Sequence, residues 1–186
     1  MFSIAGSCSA LSILKATLVL VFLTESASTQ KVTLESPVMK PGGVMSKRYT
    51  AYGKDLSPPL VWSNIPSQAR ELALIFEDVE STRVHWLLYR IPVTAPGLRE
   101  AVPQSEVISE PAKISGTIQG LTDFRDQGPG YHGPNPQAGE VRRYRFLLYA
   151  LDARLGLLPG LDRVSLMSLI SSHIIGEGEL IVTSKR

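Results

Sequence analysis

Tyr144-Arg145-Phe146-Leu147-Leu148-Tyr149-Ala150-Leu151 is the stretch on which the fold turns. It is almost wholly apolar or aromatic and holds neither glycine nor proline, so it predicts a strand. Apolar neighbours on both sides of the backbone predict that both of its faces are covered. Shorter runs of the same kind precede it at residues 72–76 (LALIF) and 86–91 (WLLYRI), the latter stopped by Pro92. Residues 32–36 (VTLES) alternate as a first strand, 60–62 (LVW) form a short one, and 180–182 (LIV) close the chain. One segment has helical spacing: Asp162 is a candidate N-cap, followed by Val164, Leu166, Met167, Leu169, Ile170 and Ile174. Thirteen prolines and fifteen glycines favour strands joined by turns over a helical bundle. The expectation is a mainly β domain with one or two peripheral helices.

Composition narrows the function classes. The 186 residues are 44% hydrophobic and 19% charged, a globular balance. Nineteen Lys+Arg against seventeen Asp+Glu leave a net charge of +2, without the dense basic face of a nucleic-acid binder. Residues 16–23 (ATLVLVFL) follow Lys15 and precede the small residues Ser26-Ala27-Ser28, the pattern of a secretory signal peptide over 1–28. The alternative is an uncleaved membrane anchor, for which the run is short. Cleavage near Ser28 would leave residues 29–186 as the single domain and remove Cys8, the one cysteine. Disulfides, all-cysteine zinc sites and cysteine nucleophiles are then excluded. A secreted or periplasmic protein with no stable membrane span is expected.

The usual catalytic signatures are missing: there is no GxxxxGK[ST] phosphate loop, no GxSxG elbow and no HExxH pair. His85, His132 and His173 have no metal-ligand spacing, so no metal and no cofactor are expected. Polar groups instead gather in two places. Residues 77–86 (EDVESTRVHW) run from the end of one predicted strand into the next, where carboxylates and an imidazole can converge on one pocket. The alternative is a charged hairpin loop whose histidine packs beside Trp86. Residues 128–139 (GPGYHGPNPQAG) form a rigid Gly/Pro loop whose backbone could approach an anion, or else a structural connection. Arg142-Arg143-Tyr144-Arg145 enters the strongest strand next. Alternation puts Arg142 and Tyr144 on one face, and Arg143 and Arg145 on the other, in solvent.

In this order, these stretches resemble the phosphatidylethanolamine-binding protein family, in its bacterial Raf-kinase-inhibitor-like (YbhB/YbcL) branch. The resemblance runs from about Val32 to Arg186. It is carried by Ser57-Pro58-Pro59-Leu60-Val61-Trp62, Asn64-Ile65-Pro66, Glu77-Asp78, His85-Trp86, Gly130-Tyr131-His132-Gly133-Pro134-Asn135-Pro136, Arg143-Tyr144, Leu148-Tyr149-Ala150-Leu151-Asp152 and residues 172–180 (SHIIGEGEL). It implies two antiparallel β-sheets with a small anion pocket at one end, lined here by Asp78, Glu80, His85, Gly133, Pro134, Arg142 and Tyr144. The implied partner is a small anionic ligand, phosphate or a phospholipid head group, bound without catalysis. The alternative is a module that inhibits a protease or kinase through residues 92–140. Three departures stand out. Asp78-Val79-Glu80-Ser81-Thr82 lacks both prolines of the family's Asp-Pro-Asp-Ala-Pro, the segment from Asp78 to His85 is short, and Arg142 stands where the family has a second pocket histidine. A permanent cation there either strengthens anion binding or pairs with Asp78 or Glu80 and closes the site.

Overall fold

The computed structural model describes residues 29–186. The signal-peptide expectation for 1–28 lies outside the described residues. Among the described residues, nine strands and one α-helix are present: β1 Gln30–Lys31, β2 Thr33–Glu35, β3 Leu60–Ser63, β4 Glu71–Asp78, β5 Val84–Pro92, β6 Gly97–Leu98, β7 Ile118–Gln119, β8 Val141–Leu151, α1 Arg163–Ile170 and β9 Ile174–Lys185. Six strands form one sheet in the order β1-β9-β8-β4-β5-β7, and three form a second, β2-β3-β6. Every pairing is antiparallel except β1 with β9, which is parallel. The expected two-sheet, mainly β architecture is present, with that one parallel pair added.

The apolar run of β4 explains the layering. All eight of its residues are buried, because both faces are covered. Leu72, Leu74 and Phe76 face the small sheet and pack with Trp86, Leu88, Phe146, Leu148, Leu60 and Trp62. Ala73 and Ile75 face the other way and pack with Leu87, Tyr89, Leu147, Leu166 and Ile170. Thus α1 covers the outer face of the large sheet with two side chains one turn apart. Its start is set by Asp162, whose Oδ1 accepts a hydrogen bond from the Ser165 N–H at 2.9 Å. The helix is shorter than its spacing suggests: Val164 is three-quarters exposed, and Ile174 already belongs to β9. The closing strand starts six residues before Leu180 for the same reason.

Register brings the polar groups together. Antiparallel pairing of β4 and β8 sets Phe76 opposite Phe146, Glu77 opposite Arg145 and Asp78 opposite Tyr144. Between β4 and β5 the register jumps: Phe76 faces Trp86, but Glu77 faces Val84. His85 is the extra residue of that bulge. A bulge re-aims a side chain, so His85 and Trp86 both turn toward the inter-sheet side despite being neighbours. There His85 meets Phe76 and Tyr144, with ring centroids 5.6 and 5.3 Å away.

Phe76 anchors this end of the core, stacked on Phe146 with centroids 4.0 Å apart. Replacing it with alanine should cost about 3–5 kcal/mol in urea denaturation, as for other large-to-small core changes. An unchanged midpoint would mean that the two central strands are not packed as described.

Candidate functional site

A cavity of about 350 Å³ opens where β4, β5 and β8 end. Asp78, Arg142 and Tyr144 come from the central strand pair, and Ser81, Arg83 and His85 from the β4–β5 hairpin. Phe124, Asn135, Pro136, Gln137 and Glu140 come from the long connection before β8. Of the residues expected at the site, Asp78, His85, Arg142 and Tyr144 are brought together here.

Of the two roles open to Arg142, the geometry shows pairing. Its Nε donates to Asp78 Oδ2 and its Nη2 to Asp78 Oδ1, both at 2.8 Å, and its Nη1 reaches Glu140 Oε1 at 3.1 Å. The fork matches carboxylate geometry at two points, and the third contact uses the remaining amine. Arg142 therefore braces one wall by holding two acids, and the cavity persists beside it. Asp78 Oδ1 also accepts from the backbone N–H groups of Glu80 and Ser81, at 3.0 and 2.8 Å. Burial alone would raise the Asp78 pKa, but the Arg142 fork and the Ser81 N–H outweigh it and hold the acid at about 2.

His85 is in the opposite situation. Its Nδ1 lies 2.7 Å from the His132 carbonyl oxygen. A carbonyl only accepts, so Nδ1 carries the proton, and in the neutral ring Nε2 is left as a lone-pair acceptor. Burial pushes the ring down to about 4, against the pull of the His132 carbonyl and the Asp78 charge. At neutral pH the imidazole is thus uncharged. Burial, and next the nearby Asp78 charge, push the Tyr144 phenol well above its ordinary range, so it too stays neutral. Arg83 lies over the Phe124 ring, 5.6 Å from its centroid, and has no acidic partner within 4 Å among the described residues. Two acids and two guanidinium groups, with neutral His85 and Tyr144, leave the walls without net charge.

Three expected residues lie elsewhere. Glu80 turns away to bind Arg143, its Oε1 accepting from Nε at 2.8 Å on the exposed side of the strand. Gly133 donates its N–H to Asp55 Oδ1 at 2.6 Å, and the Pro134 carbonyl accepts from Ala51 N at 3.0 Å. A side chain on Gly133 would collide with Asp55 and the Tyr49 carbonyl at 2.6 Å, so glycine is needed for this close approach. Tyr131 Oη adds a bond to the Tyr49 carbonyl at 2.6 Å. In this half of the Gly/Pro loop the polar groups are committed to the 49–55 turn. Arg145 is not the solvent cation expected: its Nε donates at 2.8 Å to Glu77, which is fully buried and also holds Arg163 at 2.7 Å. Among the described residues, no group of three or more His, Cys, Asp or Glu could hold a metal ion.

Glu140, Arg83 and Phe124 are among the cavity residues that the sequence alone does not single out. Glu140 sits two residues before Arg142, the spacing that shares one face of a strand, so a signal was there. Phe124 had none, being one aromatic in a long polar connection.

Comparison with known proteins agrees with this fold. A family model described as phosphatidylethanolamine-binding protein matches residues 35–185. The chain is 36% identical over 159 residues to the UPF0098 protein of Methanothermobacter thermautotrophicus, covering 83% of this chain and 99% of that one. It superposes on the crystal structure of a phosphatidylethanolamine-binding protein homolog from Chlamydia trachomatis with a TM-score of 0.71 and 29% identity, covering 85% of this chain and 99% of that one. The fold is also that of Escherichia coli YbcL, described as a member of the mammalian PEBP family, with a TM-score of 0.70 and 20% identity over 83% and 98% of the two chains.

The paired charges make stability depend on acid in two stages. His85 titrates near 4 when folded against 6.5 unfolded, and Asp78 near 2 against 3.8. Both folded values are lowered, so both contributions are complete above pH 6.5. The His85 part is lost as pH falls from 6.5 toward 4, on the order of 2–3 kcal/mol, and the Asp78 part between 3.8 and 2. Urea midpoints measured from pH 7 to 4 should fall for the native protein and stay nearly level for His85→Gln. Arg142→Ala should cost about 2–4 kcal/mol at pH 7, by leaving Asp78 buried without its partner, and raise the Asp78 pKa in a carbon-13 titration. Unchanged stability and an Asp78 still near 2 would contradict the brace.

Proposed function

The chain belongs to the phosphatidylethanolamine-binding protein family, and on that premise we propose that it is a non-catalytic binding protein whose cavity takes a small phosphate-bearing head group. The observation that carries the reading is the neutral balance of the cavity walls. Arg83, exposed and without an acidic partner among the described residues, is the cation available to a phosphate. Arg142 is already committed to Asp78 and Glu140. A bare dianion would enter a cavity that holds Asp78 and Glu140 at close range. A head group carrying both phosphate and ammonium sets its negative end toward Arg83 and Tyr144, and its positive end toward Glu140. His85 Nε2 accepts a hydrogen bond from a ligand N–H or P–OH rather than donating one. The family bears the name phosphatidylethanolamine-binding protein, and the phosphoethanolamine head group has the required dual charge.

The chemistry supports binding more than turnover. His85 is a weak base with a ring that titrates near 4, and no hydrogen bond joins its Nε2 to a serine or threonine hydroxyl among the described residues. The volume of about 350 Å³ lies at the small end of ligand pockets, ~300–1,000 Å³. The protein is further proposed to be exported through residues 1–28. Among the described residues no helix is long and apolar enough to cross a membrane.

Titration with O-phosphoethanolamine, inorganic phosphate and ethanolamine, followed by NMR at His85 and Tyr144, tests the reading. Phosphoethanolamine should bind tightest, and Arg83→Ala should weaken it about tenfold, by the loss of one charge-assisted contact of ~1.5 kcal/mol. No response at either residue to any of the three would refute the head-group site.

A further inference from the structure

The small sheet carries a second cavity that shares no residue with the first. It holds about 360 Å³ between β3, β6 and the turn at 111–114. Leu60, Leu98 and Ile114, all buried, lie beneath it, and Val61, Pro96, Pro111 and Ala112 supply its apolar surface in water. Leu60, Leu98 and Ile114 belong to the inter-sheet core, whereas Val61 stands 43% exposed on the outer face of the sheet. The apolar surface that Val61, Pro96, Pro111 and Ala112 leave in water gives up free energy that an occupant would recover by covering it.

Two cations flank the trough. Arg99 and Lys113 both line it and both are exposed. Neither has an acidic partner within 4 Å among the described residues. Glu100, next to Arg99 in the chain, is already held by Arg48 Nε at 2.9 Å and by the Tyr49 hydroxyl at 2.7 Å. The cations are therefore available to a ligand.

We propose that this groove binds a single-chain anionic amphiphile, an alkyl carboxylate or alkyl phosphate, with its chain in the trough and its head against Arg99 and Lys113. The sign of the flanking charge selects the head. The lining selects the tail: a peptide would bring backbone N–H and C=O groups that leucine, valine, isoleucine and proline side chains cannot satisfy, whereas an alkyl chain brings none. Because the groove is separate from the head-group cavity, one site can fail without the other.

Octanoate, decanoate and decylamine, each below its micelle concentration, are the probes, with nitrogen-15 NMR of the protein as readout. Decanoate should shift Val61, Leu98 and Ile114 while leaving His85 and Tyr144 in place. Each added methylene is worth about fourfold in affinity, so decanoate should bind roughly tenfold or more tighter than octanoate. Decylamine should not bind. Arg99→Ala with Lys113→Ala, both at exposed positions, should weaken decanoate at least tenfold, and Val61→Glu should abolish its binding without altering the fold. Equal binding of decylamine, no dependence on chain length, or shifts confined to other surfaces would overturn the proposal. So would an unchanged decanoate affinity in the double variant.

Discussion

A two-point fork between Arg142 and Asp78 is the contact on which the site rests. Asp78 ends β4, the strand buried on both faces, so its carboxylate has little water around it. A lone charge there would be costly, and a protonated acid would forfeit the bonds from the Glu80 and Ser81 N–H groups. With the guanidinium across from it, Asp78 stays ionised and pins the hairpin that carries His85. The same guanidinium reaches Glu140 and fixes the entry of the long connection into β8. One arginine therefore ties together the three segments that enclose the cavity.

That arrangement changes what the cavity can accept. With Arg142 occupied and His85 uncharged, little of the positive charge on the walls is free, and what is free lies at Arg83. The bulge that turns His85 inward also buries it, so the residue that could have been a titrating cation becomes an acceptor. Close by, the Gly133-Pro134 step spends its polar groups on the 49–55 turn. Support and cavity lining are divided between the two halves of one loop: residues before Asn135 hold the wall, and residues from Asn135 onward face the space.

Much of the fold was legible because burial writes itself into sequence directly. The runs at 72–76 and 144–151 had no polar face to show, which is what strands covered on both sides require. The alternation of Arg142 and Tyr144 against Arg143 and Arg145 was also readable, since strand periodicity is strict. What alternation could not give was the partner of each charge. Glu77 and Asp78 are neighbours, yet one serves Arg145 and Arg163 on the outer face while the other serves Arg142 in the cavity. That split follows from the β4–β8 register, a property of two segments more than sixty residues apart. The helix was over-read because Val164 and Leu169, though apolar, remain exposed, and pattern alone does not distinguish a buried stripe from scattered surface side chains.

Nitrogen-15 NMR of the His85 ring, recorded from pH 8 to pH 3, tests the central claim most directly, because it reads the protonation of both ring nitrogens. The structure predicts a neutral ring protonated at Nδ1 through pH 6, with Nε2 bare and the midpoint of titration near 4. A ring already cationic at pH 7, or a midpoint at or above 6.5, would contradict it and would make the cavity the anion clamp that these paired charges argue against.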